Sequence, residues 1–177
     1  SSRIPDVQNY SWFEYGHRVG FWRILEATKR LNIPVVMSLN AVALERYPRV
    51  TKAAIDAGWE ILAHSYLQRP LPVEDDERAV IRKTIAVIKE HTGVTPRGWM
   101  GPAMAETFDT ADILAEEGFE YVLDWMSDDQ PFPLKVAKGE LLACAASRTA
   151  QRPAQPSLYI KLRTPPYVLL TRSRLQT

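Results

Sequence analysis

The chain is poor in the side chains that usually carry metal and disulfide chemistry. Cys144 is its single cysteine among 177 residues, so no internal disulfide forms and a reducing compartment is expected. Three histidines, His17, His64 and His91, leave little from which to build a zinc centre. No apolar run is long enough to span a bilayer, and the start lacks the basic-then-apolar pattern of a secretory signal, so the expected location is cytoplasmic, with no membrane partner. A net charge of +1 gives no electrostatic footprint for nucleic acid. Acidic residues are absent after Glu140: residues 1–140 hold 16 Lys+Arg and all 21 Asp+Glu, and residues 141–177 hold 6 basic residues. Such a break marks a tail or a boundary.

What is present is enough apolar material, 46%, for one core. The most informative stretch is Gly58-Trp59-Glu60-Ile61-Leu62-Ala63-His64-Ser65, an apolar run that ends in a histidine and a serine. It predicts a buried strand whose polar end lies where α/β proteins place their chemistry, at the carboxyl edge of the sheet.

Residues 1–14 have no clear period and predict an extended lead-in. Phe21, Ile24, Leu25, Thr28 and Leu31 follow helical spacing within 15–31, and Asn32 is a stop. Ile33 to Leu39 predict a strand with Asn40 at its end. Ala41 to Tyr47 predict a short helical turn, Pro48 starts a helix with Val50, Ala53, Ala54 and Ala57 inward, and Gly58 ends it. Glu74 to Glu77 place negative charge at the start of a helix that buries Ile81, Ile85 and Ile88 and stops at Gly93. Arg97 to Pro102 predict a short strand and turn, Phe108 to Glu117 a helix, and Phe119 to Trp125 a strand with Asp124 near its end. This alternation, without hairpin signals, predicts a parallel sheet or barrel with helices outside. Asn40, His64, the 101–106 turn and Asp124 then share one rim.

Four segments, Trp12 to Gly20 with its E-Y-G-x-R-x-G pattern, Gly58-Trp59-Glu60 continuing to His64, Asp76 to Ile81, and Gly118 to Tyr121, resemble the polysaccharide deacetylase (NodB-homology) superfamily. The allantoinase-like branch is the most similar. The resemblance covers about residues 3–140 and implies an α/β fold, a distorted, incomplete (β/α) barrel with fewer than eight strands, and hydrolysis of a C–N bond in a non-peptide amide. It also implies a small-molecule or sugar substrate. Metal-using members place a second histidine four residues after the first; that position is Gln68, a poor ligand for a transition metal. They also draw an aspartate pair from a first strand that would lie upstream of Ser1. No cofactor is therefore expected, and a metal only if such a strand supplies its ligands. The allantoinase-like branch is thought to work without one.

His64, Glu106 and Asp124 are the catalytic candidates. His64 titrates near neutrality and suits proton transfer, or caps its strand through a backbone carbonyl. Glu106 precedes a helix start, where it activates water or stabilises the helix; Asp124 reads as a semi-buried acid with a displaced pKa. Substrate-binding candidates are Glu14, Arg18, Asn40, Trp99 and Gly101, with backbone N–H groups near Gly101 available to a developing oxyanion. Glu14 and Arg18, four apart, also suit a simple helical ion pair. The other tryptophans read as core.

Residues 1–140 form the expected barrel core, and residues 141–177 an atypical basic tail. The related branch carries a strand and an Asn-Asp pair in this region. Reading the codons for Cys144 to Pro153 one base out of register permits Val-Pro at the start and Asn-Asp at the end. A frame-shifted stretch, with Gln155 to Thr164 back in frame, and an ordinary flexible tail are the two readings. The functional alternatives are an active amide hydrolase, an inactive carbohydrate- or ureide-binding module, and a fragment that forms homo-oligomers through an open barrel edge.

Overall fold

The computed structural model describes residues 6–144, together with the backbone of two further strands, 157–160 and 167–171. Five mutually parallel strands form its centre: β1 (Val35–Leu39), β2 (Glu60–Ala63), β3 (Gly98–Trp99), β4 (Tyr121–Val122) and β6 (Leu142–Ala143). Around them run helices α1 (Val7–Tyr15), α2 (Phe21–Arg30), α3 (Val42–Arg46), α4 (Pro48–Asp56), α5 (Glu77–Thr92) and α6 (Thr110–Glu116). The fold is α/β, a distorted (β/α) barrel that remains open, its strands in the order β5-β6-β4-β3-β2-β1-β8-β7.

Three of the seven strand pairings among the described residues are antiparallel, which the sequence reading did not expect. β5 (Phe132–Pro133) folds back on β6, and the turn between them contains Gly139 at φ +85°, a conformation that glycine adopts without steric cost. β7 (Ser157–Ile160) and β8 (Tyr167–Thr171) pair antiparallel, and β8 lies along the outer edge of β1. The stretch 145–153 on which the frame-shift reading turns lies outside the described residues.

Local signals explain most of the elements. Asp76 caps α5 by accepting from Ala79 N–H at 2.9 Å, Gly93 closes it at φ +75°, and Pro48 opens α4. The extended lead-in expected over 1–14 is overturned from Val7 onward by α1. Asp6 caps this helix through Asn9 N–H at 3.1 Å. Its period is illegible because none of its residues is buried, and without a buried face selection leaves no apolar stripe. A π-helical turn, Gly16–Gly20, joins it to α2.

The core lies between sheet and helices: Met37, Leu39, Leu62, Trp99 and Val122 from the strands meet Leu44, Ile81, Ile88 and Leu114 from the helices, all buried. Register then sets the site. Leu39, Ala63, Trp99, Val122 and Ala143 are aligned across five strands. One step further along stand Asn40, His64 and Met100, and a second step reaches Ser65, Gly101 and Asp124.

Candidate active site

These rim residues are joined by a chain of hydrogen bonds that crosses the carboxyl ends of β1 to β4. Asn40 Nδ2 donates to the carbonyl of His64. His64 Nδ1 bonds to the carbonyl of Met100. A carbonyl only accepts, so Nδ1 carries the proton, and in the neutral ring Nε2 is the accepting nitrogen. The Gln68 side chain also bonds to His64. The histidine is only 2% exposed, and burial lowers its pKa, opposed by the bonds to Met100 and Gln68.

The next link is Gly101, whose N–H donates to both carboxyl oxygens of Asp124 at 2.9 Å. Here glycine is required by close approach: a Cβ would lie 2.8 Å from Asp124 Oδ2 and 3.3 Å from the Ala105 carbonyl. This corrects one expectation, because the Gly101 N–H is committed to Asp124 and is not available to an oxyanion.

Asp124 in turn meets Glu106. Burial raises both carboxyls; Glu106 raises Asp124 further, so that it is pushed up to about 8, whereas the bond with Asp124 lowers Glu106. Trp125 Nε1 donates to Glu106 Oε2 at 3.0 Å, while Glu106 Oε1 is buried without a donor among the described residues. Glu77, at the start of α5, bears on Glu106 as a like charge and is itself held by the hydroxyls of Thr107, at 2.7 Å, and Thr110.

Trp99, expected as a pocket wall, is fully buried beneath the rim, edge-on to Phe119 at 5.6 Å between centroids. Its Nε1 has no partner among the described residues, nor have Ser38 Oγ, Asn40 Oδ1 and Ser65 Oγ. Ser65 holds φ +60°, rare for a residue with a side chain and a frequent mark of a constrained site. Glu14 and Arg18 stand outside the chain and pair with each other at 3.9 Å, Arg18 largely exposed. The neighbouring His17 stacks on Tyr47 at 3.9 Å, which docks this segment at the junction of α3 and α4.

Sequence reasoning missed three participants. Met100 acts through its backbone, which no residue type signals. Trp125 was assigned to the core, yet is 42% exposed; its place directly after Asp124, past the strand's end, was the available sign. Gln68 was weighed only as a failed metal ligand. Clefts of about 360 and 230 Å³ border Trp59 at the opposite, amino ends of the strands and include none of the rim residues.

A metal does not fit what is described: no three His, Cys, Asp or Glu side chains gather into a ligand set among the described residues, and the His64 ring is held by Met100 and Gln68.

The open (β/α) barrel with polar groups gathered at the carboxyl strand ends defines the class, that of α/β proteins with a rim site. Within it, the chain belongs to the polysaccharide deacetylase family, which residues 6–122 match. It is 28% identical over 125 residues to a peptidoglycan deacetylase of Helicobacter pylori, covering 69% of this chain and 43% of that protein. It is 27% identical over 163 residues to a peptidoglycan deacetylase-like protein of Gibberella zeae, covering 86% and 48%. Among solved structures it is similar to the allantoinase Puue, with a TM-score of 0.71 and 30% identity, covering 82% of this chain and 49% of that one. The chain thus spans about half the length of the curated peptidoglycan deacetylase relatives it matches. No helix among the described residues is long and apolar enough to cross a membrane.

Proposed function

We propose that the protein is a hydrolase of a non-peptide C–N bond, deacetylase-like or cyclic-amide-hydrolase-like, acting on a sugar or other small molecule. Family membership supports the reaction class, and the observation that carries the reading is His64: a histidine at the carboxyl end of β2 whose burial disfavours the charged form, its ring oriented by Met100 at Nδ1 and bonded by Gln68, so that Nε2 is the basic atom. Nε2 takes a proton from the attacking water as the C–O bond forms. The same proton then passes to the departing nitrogen as the C–N bond breaks, giving a carboxylic acid and an amine. Glu106 and Asp124 form the carboxyl pair behind His64, and Asn40, Trp99 and Gly101 hold its frame. Glu14 and Arg18 are assigned to substrate polar groups at the entrance. The chain's described donors do not fit a metal, and no step is routed through one.

A cytoplasmic location, a place in carbohydrate metabolism, a homo-oligomeric state and a division into a core at 1–140 and a tail at 141–177 belong to the same proposal. A second reading, an inactive carbohydrate- or ureide-binding module, is favoured by the near-complete burial of His64. Amine release from N-acetyl sugar oligomers and ring opening of cyclic ureides to ureido acids, with and without chelator, separate the two. The hydrolase reading expects release that His64→Ala abolishes and chelator leaves unchanged. Binding without release supports the module, and neither binding nor release refutes both.

A further inference from the structure

One peptide group is engaged at both of its ends. The carbonyl of Met100 accepts from His64 Nδ1, and the N–H of the same peptide, on Gly101, donates to Asp124. In a trans peptide these two groups point in opposite directions. His64 and Asp124 therefore flank the end of β3, just as β2 and β4 flank β3 itself. The peptide is also conjugated. Negative charge at its N–H shifts electron density toward its carbonyl oxygen, and hydrogen bonds in such a chain strengthen one another.

We propose that Glu106 and Asp124 hold a single proton between them, and that this pair sets the basicity of His64 through the Met100–Gly101 peptide without itself touching the substrate. For its catalytic consequence the proposal rests on the hydrolase reading; the coupling itself is a property of the folded protein. A buried carboxyl oxygen needs a donor, and Glu106 Oε1 has none among the described residues unless a proton lies between it and its neighbour Asp124. Two touching carboxyls in a buried place do not both ionise readily, and Glu77 adds a third negative charge that favours retention of the proton.

With the proton in place, Asp124 draws weakly on the Gly101 N–H, and Met100 is an ordinary acceptor. When the proton leaves, the full charge on Asp124 strengthens the Met100 carbonyl's hold on Nδ1–H, and Nε2 becomes the stronger base. Asn40, Gln68 and the Met100 carbonyl are among the polar groups that border His64, and none of these three ionises. Glu106 and Asp124 are thus positioning residues for His64.

The test is an NMR titration of the His64 ring in the full chain and in three variants. Asp124→Asn keeps an acceptor for Gly101 but removes the share of the pair's negative charge that Asp124 carries, and lowers the His64 midpoint by about half a pH unit. Glu106→Gln removes the neighbouring like charge, shifts Asp124 toward its ionised form and raises that midpoint by a similar amount. The wild-type His64 signals show a second inflection, near the pH at which the pair loses its proton, that both variants lack. Trp125→Phe removes a donor to Glu106 at a half-exposed position that folding tolerates, and moves this second inflection upward. A purely structural role for the pair leaves the midpoint in place or moves it in the same direction in both carboxyl variants, and either result overturns the proposal. So does an inflection that Trp125→Phe does not move. Failure to hydrolyse any amide removes the hydrolase reading and leaves this readout intact; hydrolysis with an uncoupled His64 does the reverse.

Discussion

Replacing Asp124 by asparagine changes the way stability depends on pH. Burial and the neighbouring Glu106 displace the Asp124 carboxyl from 3.8 to about 8, so the folded protein binds this proton far more tightly than the unfolded chain. Its stabilising contribution is fully present below about pH 4 and is lost progressively as pH rises to about 8. At about 1.4 kcal/mol per pH unit, the displacement sets a ceiling of about 6 kcal/mol, which water penetration and relaxation reduce. His64 acts in the opposite sense: its lowered pKa withdraws stability as pH falls below its ordinary range. Because both proteins contain His64, subtracting the Asp124→Asn curve from the wild-type curve removes most of that contribution. Urea unfolding at pH 5 and pH 8 is the assay. The wild type is expected to lose at least about 2 kcal/mol relative to the variant across this interval. Parallel curves refute the buried, protonated carboxyl and the reasoning built on it.

Further outcomes follow from packing and from the site. Gly98→Ala drives a Cβ into the ring of Tyr121 and to 2.5 Å from Leu62 Cδ1; it is expected to cost more than about 3 kcal/mol or prevent folding, read by circular dichroism and urea midpoint. Gly101→Ala presses on Asp124 and the Ala105 carbonyl and is expected to cost about 1–3 kcal/mol, measured in the same way. Leu114→Ala opens a cavity under α6, where the side chain is fully buried, and is expected to cost about 2–5 kcal/mol. Breaking the Arg18–Glu14 pair with Arg18→Ala is expected to leave stability within about 0.5 kcal/mol, since Arg18 is largely exposed; a raised KM without a change in kcat is the outcome that supports its proposed contact with substrate.

The parts of the fold that could be read in advance are those in which one face is buried and one end is capped. α5 shows this best: Ile81 and Ile88 face the core, Asp76 caps one end and Gly93 the other, and each leaves its mark in the sequence. α1 shows the converse, since with no buried residue its aromatic side chains follow no period. The β5–β6 hairpin was missed because its strands are two residues each, too short for alternation to register. At the site, His64 and Asp124 were legible because a polar residue at the end of an apolar strand stands out. The bond from His64 to Met100 and the choice of Gly101 N–H by Asp124 belong to the backbone and to register between strands distant in sequence, which side-chain identity does not encode. Trp125 was misplaced because tryptophan is usually interior, whereas its ring lies partly in solvent with its indole nitrogen turned toward Glu106.

The pairing of β1 with β8 has a bearing on how the molecule is made. Val35–Leu39 leaves the ribosome long before Tyr167–Thr171, its antiparallel neighbour, so the growing chain carries a strand with one bare flank until that neighbour emerges. Contacts this remote in sequence form slowly, and an uncovered row of amide groups invites other nascent copies to dock on it. Yield during production should depend on growth temperature and on translation speed between the codons of these two strands.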